Sequence, residues 1–288
     1  MRAAEIRDLG RATLAEVKAD EVSLLASAVA FRIFLSIFPT LIAAVAIFGL
    51  VTEPTELSRL LNEARAVVPG DAFTLLQRTL AGLTEAGTGG IAVAGIAGGL
   101  WAASSAAAVL IKALNLAYDV GERRKFLKLR GVALGITLAL FVAIATLMVL
   151  LVLGRFLQGW LVPESLRDQG LEYVIVAARI AASLGVLMVL FAVVYWLGPN
   201  RDVPSFKWIT PGSVVGVLAW LALSGGFAVY TRLFGNYGAT YGSLAGAVLM
   251  MLWIQLSMMT LLIGAELNQV WERRLRAGRH GASVTAAD

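Results

Sequence analysis

Cysteine is absent from the chain, and histidine occurs once, as His280 in the polar C-terminal tail. Without cysteine there is no disulfide framework, thiolate nucleophile or cysteine metal site. One histidine leaves Ser-His-Asp catalysis, Cys-His catalysis and histidine-rich zinc hydrolysis without support. Charge is also scarce: 15% of the 288 residues are Asp, Glu, Lys or Arg, against 59% hydrophobic. No water-soluble globular domain has that balance, so soluble enzyme folds are excluded. No phosphate-binding P-loop motif occurs, which excludes a built-in nucleotide motor of that type.

What is present is a series of apolar runs of about 20 residues, each long enough to cross about 30 Å of hydrocarbon. Six spans are read at 24–52, 90–113, 131–154, 174–198, 210–230 and 244–268, giving an all-α polytopic membrane protein. An even number puts both termini on one side. Of the 24 Lys and Arg, fifteen fall in the N-terminal segment, the loops after spans two and four, and the tail. Six lie in the opposite loops, and Arg32, Lys112 and Arg179 lie within spans. The positive-inside rule then predicts cytoplasmic termini, and it reads the formal charge of +5 as contact with anionic lipid rather than nucleic acid.

Residues 1–22 lack the order of a signal peptide. Ile6, Leu9, Thr13 and Val17 recur at helical spacing among Arg2, Arg7, Arg11 and Lys18, which fits either a helix on the inner membrane surface or a solvated lead-in. The membrane domain is expected over 23–272, with an external loop at 53–88. In that loop Leu57, Leu60, Leu61, Ala64 and Val68 precede Pro69-Gly70, and Phe73, Leu76, Leu80 and Leu83 follow, a pattern of two short amphipathic helices. Residues 273–288 read as a basic, then disordered, tail.

Seven tryptophans and six tyrosines mark depth. Trp160, Tyr173, Tyr230, Tyr237 and Tyr241 fall at outer span ends, and Tyr118, Trp196, Trp208 and Trp271 at inner ones, while Trp101, Trp220 and Trp253 lie deeper as packing residues. Small residues at four-residue spacing (Gly95 and Gly99, Gly212 and Gly216, Gly242 and Gly246) predict close helix packing.

Polar groups inside apolar runs are costly and therefore informative. Arg32, Ser36 and Thr40 form a stripe in span one, which Pro39 is expected to bend. Lys112 and Asn115 lie toward the inner end of span two; Gln255 sits at mid-depth in span six, and Glu266 and Asn268 near its inner end. Two readings fit the charges: Glu266 pairs with Arg32 or Lys112, or the long cations reach the interface individually. Arg179, near the outer end of span four, either binds an anionic headgroup or does the same.

The run from Ala28 to Pro39, Ala-Val-Ala-Phe-Arg-Ile-Phe-Leu-Ser-Ile-Phe-Pro, resembles the start of the YihY/BrkB family of inner-membrane proteins, formerly labelled ribonuclease BN. Trp101, Leu114-Asn115, Tyr118, Pro199-Asn200-Arg201, Pro211-Gly212, Tyr241-Gly242-Ser243, Leu252-Trp253 and Gly264-Ala265-Glu266-Leu267-Asn268 continue the resemblance in order over about residues 20–270. Arg32 departs from it, an aromatic residue being more usual there. The resemblance implies a six-span inner-membrane protein with a role in envelope integrity, relatives having been linked to resistance to serum killing. The old nuclease label conflicts with the chemistry, since metal-centred RNA hydrolysis needs clustered His and carboxylate ligands.

The expected function is movement of a lipid or amphipathic solute, with anionic phospholipid as the favoured class. Arg32, Ser36, Pro39, Thr40, Lys112, Asn115, Gln255, Glu266 and Asn268 are the candidate path or gating residues, and Arg179 the outer headgroup candidate. The alternative is a scaffold that docks an envelope protein. Neither catalysis, a metal nor a cofactor is expected; the partners are membrane lipids, an envelope protein or a second copy of the chain, and not nucleic acid.

Overall fold

The computed structural model describes residues 3–51, 89–153, 169–201, 209–233 and 244–285. Among them are seven α-helices: α1 (Ala3–Ala19), α2 (Val22–Val51), α3 (Gly89–Ala117), α4 (Phe126–Met148), α5 (Gln169–Leu197), α6 (Pro211–Leu233) and α7 (Leu244–Thr285). A π-helical turn, Val149–Leu153, extends α4. Six of the helices, α2 to α7, are long and apolar enough to cross a membrane. The external loop 53–88 and Gly242 lie outside the described residues, as do the surroundings of Gly95.

The six spans close into a ring in which each packs on the next in chain order and α7 returns to α2. Helix α1, the later part of α7, the connection 118–125 and residues 198–201 and 209–210 gather at one end, called the base here. The tightly packed core lies toward it: Val29 of α2, Ile111 and Leu114 of α3, Tyr195 of α5, Val217 of α6 and Leu262 of α7 share one buried cluster. Away from the base, large apolar side chains such as Leu138, Ile144, Ile180 and Val248 are exposed, as suits lipid-facing surfaces.

Helix α7 runs on through the basic residues Arg273, Arg274 and Arg276 to Thr285, its Ala- and Arg-rich sequence having no proline to stop a helix. Helix α1 differs from the sequence reading. The apolar stripe of α1 faces protein: Leu9 is buried against Leu267 and Val270 of α7, while Ile6 is exposed. Thr13 returns its hydroxyl to the Leu9 carbonyl at 3.0 Å, which lets it sit buried in the same contact.

Candidate functional site

The base is held by polar side chains that would be unfavourable in lipid unless each found a partner. Asn115, buried at the end of α3, donates to Glu122 Oε2 at 2.8 Å and accepts from the Asn200 backbone N–H at 2.7 Å. Arg124 holds both Glu122 oxygens at 2.8 Å and also donates to the carbonyls of Leu197 and Gly198, at 3.2 and 2.6 Å, where α5 ends. Those carbonyls have no partner within their own helix, so the guanidinium satisfies a helix end and an acid together. The Arg124 hydrogen bonds, above all, push the Glu122 carboxyl down to about 2.

Arg201 links three elements. It donates to Glu272 Oε1 of α7 at 3.0 Å and to the Tyr195 carbonyl of α5 at 2.7 Å, and its guanidinium lies 4.6 Å from the ring centre of Tyr118. Burial pushes the Tyr118 phenol well above its usual range even though Arg201 acts against that shift. Tyr118, Asn200, Arg201, Gln269, Glu272 and Arg276 are among the residues around a polar cavity of about 560 Å³ that opens at the base.

The start of α6 is seated on α7. Thr210 caps it, exchanging hydrogen bonds with Ser213 at 2.9 and 3.0 Å, and Pro211 occupies the first helical position, where no N–H is needed. The next free N–H, that of Gly212, donates to Asn268 Oδ1 at 2.7 Å, and Asn268 Nδ2 donates to the Tyr118 hydroxyl at 3.2 Å. A Cβ on Gly212 would collide with the Gly264 carbonyl, so the backbones touch only because both residues are glycine. Gly216 packs less tightly, a Cβ there lying 2.9 Å from the Phe191 ring and 3.1 Å from the Tyr195 hydroxyl, which donates to the Leu261 carbonyl at 2.7 Å.

Glu266 is 1% exposed, and of the two readings of the charges the ion pair with Arg32 or Lys112 is the one the structure does not show. Arg32 and Lys112 are both exposed, and the charged groups that bear on Glu266 are the acids Asp20, Glu16 and Asp119. Asp20 lies in the turn between α1 and α2. Burial, reinforced by Asp119 and Glu16, raises the Asp20 carboxyl above its ordinary range, while Glu266 and Arg273 act against the rise. Arg273 bridges Glu16 at 2.8 Å and Asp119, which also accepts from Gln269.

A second feature lies within the spans. An apolar cavity of about 220 Å³ is bounded by α2, α3 and α4, and Ser36, Thr40 and Thr137 lie on its otherwise apolar wall. Ser36 donates to its own helix at Ile33, 2.7 Å away, and Thr137 to Ala133 at 2.8 Å, so these hydroxyls are satisfied locally. Pro39 sits in the middle of a continuous α2, and Gly99 of α3 lies against its carbonyl and against Ala43. Arg32 is not on this wall. The stripe therefore divides, with Ser36 and Thr40 on the cavity and Arg32 outside, because α2 presents different sides to α3 and to the exterior.

The remaining candidates are dispersed. Gln255 is half-buried and lines neither cavity; its neighbours Trp253 and Ser257 join α7 to Ser224 and Trp220 of α6. Gly246 has nothing within 4 Å of a built Cβ among the described residues, so its small-residue spacing does not mark packing there. Arg179 is not a free headgroup ligand: it donates to the carbonyls of Leu150 and Leu151, at 3.0 and 3.2 Å, in the π-helical turn. That turn's altered bonding leaves carbonyls available for the guanidinium. Trp101, expected to be deep packing, is 56% exposed and lies 3.7 Å under the Arg130 guanidinium, which also donates to Ser105.

Most of the motifs that carry the family resemblance thus meet at the base: Asn115, Tyr118, Asn200-Arg201, Gly212, and Gly264 to Asn268. The family model described as "Virulence factor BrkB" matches residues 13–288. The chain belongs to the BrkB family. The ribonuclease-like protein YfkH of Bacillus subtilis (strain 168) is 30% identical over 246 residues, covering 85% of this chain and 88% of that protein. Shorter similarity, 38% identity over 84 residues, links it to the UPF0761 membrane protein PSHAa0171 of Pseudoalteromonas translucida, covering 29% of this chain and 28% of that one. No solved structure matches the chain. For this BrkB-family chain, multi-pass membrane architecture is common ground between the comparison and the fold.

Proposed function

We propose that this BrkB-family protein moves an amphipathic solute, a phospholipid in the first instance, within or across the bacterial inner membrane and so supports the envelope. The observation that carries this reading is the cavity between α2, α3 and α4, apolar enough for an acyl chain and marked by the hydroxyls of Ser36, Thr40 and Thr137. Beyond it the helices are tied together at the base by the hydrogen-bonded polar layer. An apolar recess next to such a tied polar end is the arrangement expected of a pathway with one gate shut. The basic residues at the base, including Arg123, Lys125 and Lys128, favour the cytoplasmic side for it.

The reading is not enzymatic, and the ribonuclease-like description of YfkH stays with that protein. Photoactivatable phospholipid in nanodiscs tests the site. Cross-linked peptides are expected to concentrate on the α2, α3 and α4 faces around Thr40, Ala103 and Thr137. Labelling spread evenly over the outward apolar surfaces would contradict a bound amphiphile.

A further inference from the structure

The polar cavity of about 560 Å³ at the base is walled by residues 118–120 after α3, by Asn200 and Arg201 after α5, and by α7. That size falls in the range of about 300–1,000 Å³ usual for small-molecule sites. Its walls carry three guanidiniums, those of Arg201, Arg273 and Arg276, against the two carboxylates of Asp119 and Glu272. Two of the cations are already engaged. Arg201 donates to Glu272 at 3.0 Å and to the Tyr195 carbonyl at 2.7 Å, and Arg273 bridges Asp119 and Glu16. The same pairings offset both carboxylates of the wall and so weaken their repulsion of an anion.

Arg276 is in a different state. Its contact with Glu272 Oε2 is 3.7 Å long, beyond hydrogen-bonding length, and it makes no hydrogen bond to another side chain among the described residues. With the side chain 77% exposed, its planar fork of donors is available to an incoming group. Tyr118 adds a second donor. Its hydroxyl accepts from Asn268 at 3.2 Å, which leaves the phenolic proton to give, and burial keeps that proton in place. Arg201 Nε and Gln269 Oε1, on two residues of the same wall, are buried without a hydrogen-bond partner. Protein interiors normally meet such groups, so the described residues alone do not complete this wall.

We infer that the base cavity binds a phosphate ester, its phosphate on the Arg276 guanidinium and the Tyr118 hydroxyl, and its hydroxyl-bearing part against Asp119 and Glu272. A guanidinium fork matches phosphate oxygens two at a time, and the lone pairs left on the carboxylates accept from hydroxyls. The headgroup of a glycerophospholipid and a free glycerol phosphate share this chemistry. The site is separate from the α2–α4 cavity and does not depend on the transport reading.

Isothermal titration calorimetry of the full chain in maltoside micelles, which carry no phosphate, tests the site with two probes, soluble glycerol phosphate and short-chain phosphatidylglycerol. Wild type is expected to bind saturably. Binding of glycerol phosphate identifies a free ester as sufficient, and binding of phosphatidylglycerol alone identifies the lipid headgroup. Arg276→Gln is expected to weaken the binding by about tenfold or more, the loss of a charged hydrogen-bond donor. Its side chain is exposed, so the variant keeps the fold. Arg274→Gln removes the same charge from an exposed residue of α7 that is off the cavity wall, and is expected to leave the binding unchanged. Saturable binding of neither probe, undiminished binding in Arg276→Gln, or an equal loss in the two variants would overturn the site.

Discussion

At the scale of single residues, two glycines in similar sequence settings have opposite surroundings. Gly212 has no room for a methyl group, whereas Gly246 has nothing beside it among the described residues. Gly212→Ala is expected to destabilise the α6–α7 contact by about 1–3 kcal/mol, the usual cost of overpacking, and to lower the thermal unfolding midpoint in detergent. Gly246→Ala, in the first turn of α7 with nothing beside it among the described residues, is expected to leave the midpoint unchanged or raise it, as alanine is the better helix former. Spacing in the sequence names a face of a helix but not its neighbour, and so the two glycines read alike there. Glu122 gives a pH dependence with a definite sign. Its carboxyl is lowered in the fold to about 2, so its contribution is present above its ordinary value near 4.5 and is lost as pH falls toward 2. Hydrogen exchange at residues 118–125 and 197–201 is expected to accelerate across that acid window; equal protection at pH 5 and pH 2 would contradict the Glu122–Arg124 clasp.

At the scale of elements, hydrophobic run lengths made the six spans legible, since crossing hydrocarbon imposes a length that few other structures share. Other features rest on contacts between distant segments. The sequence Val149–Leu153 carries no mark of a π-helical turn, and the partner of Arg179 was correspondingly invisible. The same holds for α1, whose stripe fitted a membrane surface or a solvated lead-in and carried no pointer to α7. Arg179→Ala leaves the Leu150 and Leu151 carbonyls without their donor and is expected to cost about 1–3 kcal/mol. Arg179→Lys, whose single ammonium lacks the planar fork, is expected to fall between alanine and wild type. An unfolding midpoint unchanged in Arg179→Ala would show that the turn does not depend on the guanidinium.

At the scale of the whole molecule, the base and the cavity divide the bundle into a hydrogen-bonded polar end and an apolar recess within the spans. Asn115, Glu266 and Asn268 were legible as candidates because polar groups in apolar runs need partners, but Asp20, Glu122, Arg124, Arg201 and Gln269 were not. These lie in or next to polar segments, where nothing in the sequence distinguishes a solvated charge from a clamped one. The absence of cysteine makes sidedness simple to test, since any introduced thiol reports alone. Lys18→Cys and Lys125→Cys are expected to react with a membrane-impermeant reagent from the same, cytoplasmic, side; labelling from opposite sides would break the shared base.

The proposal that an amphiphile moves through the α2–α4 recess is tested most directly in liposomes. Purified wild type and Ala103→Phe, whose ring would fill the cavity, are reconstituted with labelled phospholipid, and transbilayer movement is followed with folding checked for both. The account predicts protein-dependent movement that Ala103→Phe slows by about tenfold or more, a barrier increase of about 1.4 kcal/mol. Movement no faster than in protein-free liposomes, or equal rates for wild type and a folded Ala103→Phe, would contradict it.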